Sequence, residues 1–185
     1  MNTDQKDERG RALLSAIGGG DDAALTEFYG LFNSTVYRYA SSKLNDTHSA
    51  SDILADVMVE VWKSAHRYAG KSKVTTWLIG IAHHKVVDMY RKKGRANLTE
   101  LDDSIEDESP ISDLEGLISQ LSDSRVLHKA LANLPELHRE ILHLVFFEDM
   151  NYAEISEILN IPEGTIKSRV FNAKNKLKDV LIAIS

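Results

Sequence analysis

The chain contains no cysteine, which excludes disulfide bridges, thiol nucleophiles, thiolate metal sites and thiol redox sensing within it. Proline is nearly as scarce. Its three residues, Pro110, Pro135 and Pro162, all fall in the C-terminal half, where each reads as a linker or a helix entry. No apolar run approaches the roughly 18 residues that a membrane-spanning helix requires. The N-terminal "MNTDQKDERG" also lacks the basic-then-apolar layout of a secretory signal. These absences predict a soluble, cytoplasmic protein with no membrane insertion. Strand signals are almost missing too: apolar residues recur at every third or fourth position over long stretches. With 43% hydrophobic residues in 185, the chain is predicted to be globular and all-α, long enough for one ordinary domain or two small ones.

What is abundant is charge sorted by sign. The formal net charge is -6, yet from Lys63 to Arg95 the bases Lys63, Arg67, Lys71, Lys73, Lys85, Arg91, Lys92, Lys93 and Arg95 stand against Asp88 alone. From Ala96 to Arg125 the balance inverts: Glu100, Asp102, Asp103, Glu106, Asp107, Glu108, Asp113, Glu115 and Asp123 face a single Arg125. This Ser- and Asp-rich segment reads as a flexible linker. The expected organisation is a helical domain over 1–95, an acidic linker over 96–125 and a second helical domain over 126–185. The net acidity hides two cationic surfaces.

The sharpest motif is "NYAEISEILNIPEGTIKSRVFNAKNKL", two helices joined by a short turn. Tyr152, Ile155, Ile158 and Leu159 give the first an apolar face, Asn160 suits a left-handed stop, and Pro162 suits the first turn of the next helix. In that helix Ile166, Val170, Ala173 and Leu177 make a buried stripe. Ser168, Phe171, Asn172 and Asn175 point the other way, flanked by Lys167, Arg169, Lys174 and Lys176. A helix with a polar outer face and cationic edges, preceded by a helix and a turn, has the layout of a DNA-reading helix-turn-helix. Phe171 on that face would meet a thymine methyl or sugar edge, or else pack on a neighbouring element.

Two N-terminal helices present second faces. In "SDILADVMVEVWKSAHRYAG", Ile53, Leu54, Val57 and Val61 form one stripe, while Ala55, Val59 and Trp62 lie opposite beside Asp52 and Asp56. The second face either docks a partner protein or marks a central helix covered on both sides. In "GKSKVTTWLIGIAHHKVVDMYRKKGR" the buried stripe is Leu78, Ile79, Ala82, Val86 and Met89, with Trp77, His84, Asp88 and Arg91 on the other side. An aromatic and a histidine bordered by bases fit a stacking platform for unpaired nucleotides, although core packing is the common alternative for a tryptophan. The preceding "YAGKSK" reads as a short flexible loop rich in donors.

Nothing points to catalysis, a cofactor or a metal. His83 and His84 project about 100 degrees apart on a helix and cannot readily share an ion. His138 and His143 lack one-turn spacing, and no glycine-rich phosphate loop is present.

On these residues the chain resembles an extracytoplasmic-function sigma factor of the sigma-70 family, over about Ala24 to Leu181. "SDILADVMVEVW" is similar to that family's region-two signature, and "TWLIGIAHHKVVDMYRKKGR" to its melting and upstream-edge helix. "LANLPELHREILHLVFFEDMNYAEISEILNIPEGTIKSRV" is similar to its region four. The resemblance implies a non-enzymatic subunit with core RNA polymerase, promoter DNA and an anti-sigma factor as partners. It places polymerase docking at Asp52, Ala55, Asp56, Val59 and Trp62. Minus 10 recognition and melting fall to Tyr68, Gly70, Lys71, Ser72, Lys73, Trp77, His84, Lys85, Arg91, Lys92 and Lys93. Reading of the minus 35 duplex falls to Lys167, Ser168, Arg169, Phe171, Asn172, Lys174 and Lys176. Three positions depart from the family's pattern: Ala55 stands for a frequent glutamine, His84 for a frequent asparagine, and Asn172 for a frequent arginine. The competing readings are a sigma-like mimic that titrates an anti-sigma factor and a standalone helix-turn-helix repressor.

Overall fold

Helices of the first half begin where a side chain can accept from their free N–H groups. Helix α1 (Thr3–Gly18) opens with a capping box, in which Asn2 Oδ1 accepts from Gln5 N at 2.8 Å and Asn2 N donates to Gln5 Oε1 at 3.1 Å. Asp21 caps α2 (Asp22–Lys43) and Asp46 caps α3 (Thr47–Ser64). A 3-10 turn, Ala65–Arg67, leads to the loop before α4 (Val74–Lys92). The second half holds α5 (Ser124–Ala132), α6 (Glu136–Phe146), α7 (Tyr152–Leu159) and α8 (Glu163–Ile184). The computed structural model describes residues 2–44, 46–94 and 124–184, and no strand occurs among them. The acidic linker expected at 96–125, with Arg95 and Pro110, lies outside the described residues except for Ser124 and Arg125, which open α5. Among the described residues no helix is long and apolar enough to cross a membrane.

The chain divides into two compact units, α1–α4 in the first and most of α5–α8 in the second. In the first, α2 packs against α1, α3 and α4. Its Phe28, Phe32, Val36 and Tyr39 are fully buried, the two phenylalanine rings 4.6 Å apart. Ile53, Val57 and Val61 of α3 and Leu78, Ile79, Ala82 and Val86 of α4 complete the core. Burying each of the valine, leucine, isoleucine and phenylalanine side chains among them is worth about 1.5–3 kcal/mol. Met89, expected in this stripe, is only partly buried. The central helix is therefore α2, and α3 keeps one face open.

Close approach of α1 requires Gly10. A Cβ there would lie 2.8 Å from Phe32 Cζ and 3.2 Å from Val74 Cγ1. Both neighbours are fully buried and cannot swing away. Gly10→Val is therefore expected to destabilise the first unit by about 1–3 kcal/mol. Thermal unfolding checks this, since an unchanged melting temperature would show that the α1–α2 contact is loose.

In the second unit, α5 and α6 pack on α8 around Ala130, Leu131, Leu134, Leu142, Ala173, Leu177 and Leu181. Pro135 and Pro162 immediately precede α6 and α8, and their carbonyls accept from Arg139 N and Ile166 N at 3.0 Å. Helix α7 opens with an Asn151–Glu154 capping box and ends on Asn160 in the left-handed conformation, at φ 53° and ψ 44°. Ser156 Oγ donates to Ile161 O at 2.6 Å and pins the turn.

Candidate nucleic-acid and partner-binding surfaces

The α7–turn–α8 segment has the helix-turn-helix layout. Ile155, Ile158, Ile166, Val170, Ala173 and Leu177 are buried, so the N-terminal half of α8 presents the opposite face. Lys167 and Lys176 are exposed, and Ser168, Arg169, Asn172 and Lys174 are partly so. Phe171 is partly buried, so part of its ring is covered by its surroundings and part remains open on that face. Ser168 Oγ lies 3.0 Å from Gly164 O and 3.3 Å from Thr165 O. Its hydrogen is committed to the helix's own backbone, which leaves the hydroxyl with acceptor capacity only. Lys174 Nζ lies 5.6 Å from the centre of the Phe146 ring, so its charge is shared with the core edge.

On α3, Asp52, Ala55 and Asp56 are exposed, and Val59 and Trp62 are two of the large apolar side chains left open, at 51% and 38%. Among the alternatives for this helix, the one covered on both sides does not hold. The patch is apolar at its centre and acidic at one border.

The loop 68–73 is not the unsupported segment that its composition suggests. Tyr68 Oη donates to Ser72 O at 2.5 Å, and Arg11 of α1 donates from Nη1 to Gly70 O at 3.1 Å and from Nη2 to Ser72 O at 3.3 Å. Gly70 has φ +70°, where a side chain is strained, and a Cβ there would meet Arg11 Nη1 at 3.2 Å. Tyr68 also stacks at a tilt on Trp77, with ring centroids 5.3 Å apart. Burial pushes the Tyr68 phenol up, so it remains a proton donor. Trp77 is partly buried, so it is neither fully core nor fully a platform. Lys71 and Lys73 are exposed.

Along α4 the two adjacent histidines part. His83 Nδ1 pairs with the Tyr39 hydroxyl at 2.9 Å, whereas His84 is exposed with its Nδ1 2.7 Å from Gly80 O. A carbonyl only accepts, so Nδ1 of His84 carries the hydrogen and a neutral ring offers Nε2 as an acceptor. Lys85, expected in the outward basic set, is partly exposed and has its ammonium 3.2 Å from Glu60 of α3. The basic residues are also not one cluster. Arg91, Lys92 and Lys93 sit at the far end of α4, about 26 Å from the loop at 1.5 Å per residue, and Arg91 lies 3.6 Å from Asp88.

Sequence reasoning missed Asp7 and Arg11. Arg11 Nε donates to Asp7 Oδ2 at 2.7 Å, and Asp7 Oδ1 accepts from Val74 N at 2.6 Å. Asp7 thus caps α4, whose own N-cap residue Lys73 offers no side-chain cap. The hydrogen bond to Asp7 holds the Arg11 guanidinium above its ordinary pKa. Their i,i+4 spacing was visible, but in a sequence it reads as an ordinary surface pair.

Two family descriptions match the chain: Sigma-70 region 2 over residues 28–96 and Sigma-70, region 4 over residues 130–179. The ECF RNA polymerase sigma factor SigK of Mycobacterium tuberculosis is 30% identical over 172 residues, 92% of each chain. SigM of Bacillus subtilis, also an ECF RNA polymerase sigma factor, is 32% identical over 154 residues, covering 83% of this chain and 93% of SigM. Among solved structures, RpoE of Bartonella quintana, in complex with the anti-sigma factor NepR, superposes with a TM-score of 0.63 at 25% identity, over 84% of this chain and 95% of RpoE. CnrH, solved with the cytosolic domain of CnrY, gives 0.67 at 20% identity over 96% of this chain and 99% of CnrH, a likeness of fold.

Proposed function

The chain belongs to the extracytoplasmic-function RNA polymerase sigma factors, and on that footing we propose how its surfaces divide the work of promoter recognition. As a sigma factor it directs RNA polymerase to promoters and initiates transcription there. Sigma factors regulate transcription, and bond formation is the polymerase's own. The N-terminal domain, 1–95, docks on core polymerase through Asp52, Ala55, Asp56, Val59 and Trp62. It captures the minus 10 strand with the 68–73 loop, Trp77 and His84, while Arg91, Lys92 and Lys93 hold phosphates farther along. The C-terminal domain, 126–185, reads the minus 35 duplex with the outer face of α8. The linker, 96–125, carries like charge to nucleic acid and suits a channel built for it. An anti-sigma factor is a further partner, as it is for RpoE of Bartonella quintana. The cytoplasm, where polymerase works, is the compartment.

The observation that carries this reading is the pairing in one chain of a helix-turn-helix with an exposed apolar, acid-bordered patch on a separate helical unit. Transcription with purified core polymerase on genomic fragments tests it. Promoter-specific transcripts are expected, whereas a titrating mimic or a standalone repressor would yield none.

His84 supplies a residue-level test. With Nε2 as its outward acceptor, it favours a base that presents an amino or imino hydrogen. His84→Phe keeps the stacking surface and removes the acceptor. It is expected to reduce discrimination at one minus 10 position by about fivefold or more, within the usual worth of one hydrogen bond to a charged or polar edge. Promoter-library selection measures this, and an unchanged minus 10 consensus would remove His84 from the reader.

A further inference from the structure

Helix α1 lies outside both matched segments, the first of which begins at residue 28. Its side chains nonetheless hold the loop assigned above to the minus 10 strand. Arg11 spends Nε on Asp7, Nη1 on the Gly70 carbonyl and Nη2 on the Ser72 carbonyl. Asp7 in turn takes the first N–H of α4, and the Arg11 guanidinium lies 5.9 Å from the centre of the Tyr68 ring. Ser72 O accepts from both Tyr68 Oη and Arg11, which fills its two lone pairs. The loop's shape is therefore imposed at three points from a helix some sixty residues earlier.

We propose that Asp7 and Arg11 are positioning residues for minus 10 base selectivity, making α1 part of the promoter-reading apparatus. This rests on the reading of the 68–73 loop as the minus 10 reader. The loop contains two alanine- or glycine-sized residues, Ala69 and Gly70, and has no buried apolar anchor of its own beyond the partly buried Tyr68. Without the guanidinium, two carbonyls lose their donor, and Gly70, which tolerates many backbone conformations, is no longer held at φ +70°. A loop free to sample several shapes still binds phosphates through Lys71 and Lys73, but encloses a flipped base without preference. Arginine is required because its planar fork reaches three acceptors at once. A lysine ammonium at the end of a flexible stem cannot hold the same three. Gly10 contributes by letting α1 sit close enough to Phe32 and Val74 for the fork to reach.

The test uses holoenzyme reconstituted with the full chain and a promoter library randomised at minus 10, with a second library randomised at minus 35. Variants are Arg11→Ala, Arg11→Lys, Asp7→Asn and, as a direct control, exchange of residues 69–73 for another family member's loop. Arg11→Ala and Arg11→Lys are both expected to cut discrimination between the preferred and the next base by about fivefold or more, with minus 35 selectivity unchanged. Asp7→Asn, which keeps one oxygen for Val74 N but sets an NH2 donor against Arg11 Nε in place of the carboxylate oxygen, is expected to give a smaller loss, since the Arg11 bonds to Gly70 and Ser72 remain. If the loop exchange shifts minus 10 preference and the Arg11 variants do not, the positioning role is overturned while the loop remains the reader. If neither shifts it, the loop reading falls and the proposal with it. Full selectivity with Arg11→Lys, or a uniform fall in transcription across all minus 10 sequences accompanied by a lower melting temperature, overturns the proposal in favour of a merely structural tie.

Discussion

Replacement of Trp62 by alanine together with Asp52→Lys and Asp56→Lys is expected to abolish assembly with core polymerase at concentrations where the parent chain binds fully. Trp62 is a large aromatic left 38% open, with Val59 at 51% one turn before it on α3. Truncating a buried aromatic anchor at an interface costs about 2 kcal/mol or more, roughly 30-fold in affinity. The two reversals convert an attractive acidic border into a repulsive one and slow the encounter as well. Asp52 and Asp56 are exposed, so their reversal should leave helical content and melting temperature unchanged, whereas Trp62, more than half covered, should lower the melting temperature on truncation while helical content is kept. The measurement is equilibrium binding to core polymerase with circular dichroism as the fold control. Affinity within threefold of the parent would move the interface to another face. Because exposed charges are screened, the reversals alone should matter less as salt rises, whereas Trp62→Ala should not.

The second large effect is expected on α8. Asn172→Ala removes the side chain best suited to a bidentate contact with adenine, and Arg169→Ala removes a forked donor suited to guanine or phosphate. Each is expected to cost about 1–3 kcal/mol of minus 35 binding. The Asn172 change should relax preference at a single base pair. Lys167→Ala and Lys176→Ala, at exposed positions, should weaken all sequences alike and lower the salt slope by about one each. Ser168→Ala should do less than either class, because its hydroxyl hydrogen is already used by Gly164 O and Thr165 O. Binding of minus 35 duplex variants at several salt concentrations separates these outcomes. Retention of full selectivity by Asn172→Ala and Arg169→Ala together would take base reading off this helix face.

Much of this was legible in the residues. The turn between α7 and α8 follows from Asn160 adopting the left-handed region and Pro162 entering a helix, both local chemistry. The buried stripe Ile166, Val170, Ala173 and Leu177 follows from helical period alone, as does the placement of Val59 and Trp62 on the side of α3 opposite Ile53 and Val57. How much of Phe171 is covered was not legible, because period tells which side a residue faces and not how far neighbouring elements extend over that side. The partner of Lys85 was not legible for a related reason. Its spacing set it among outward bases, and the approach of α3 supplied Glu60 as a partner.

The sequence by itself determined the helical elements, their stops and their faces, because period, caps and turn chemistry act between residues a few positions apart. Only the tertiary structure decided that α2 is the central helix and that α3 keeps a second face open, since that depends on which helices pack around which. It also decided that the 68–73 loop is held from α1. The bonds from Arg11 to Gly70 and Ser72 and from Val74 to Asp7 span 59, 61 and 67 residues. Such partners share no local pattern: a carbonyl has no sequence signature, and the arginine that satisfies it becomes its neighbour only when close packing at Gly10 brings α1 against the start of α4.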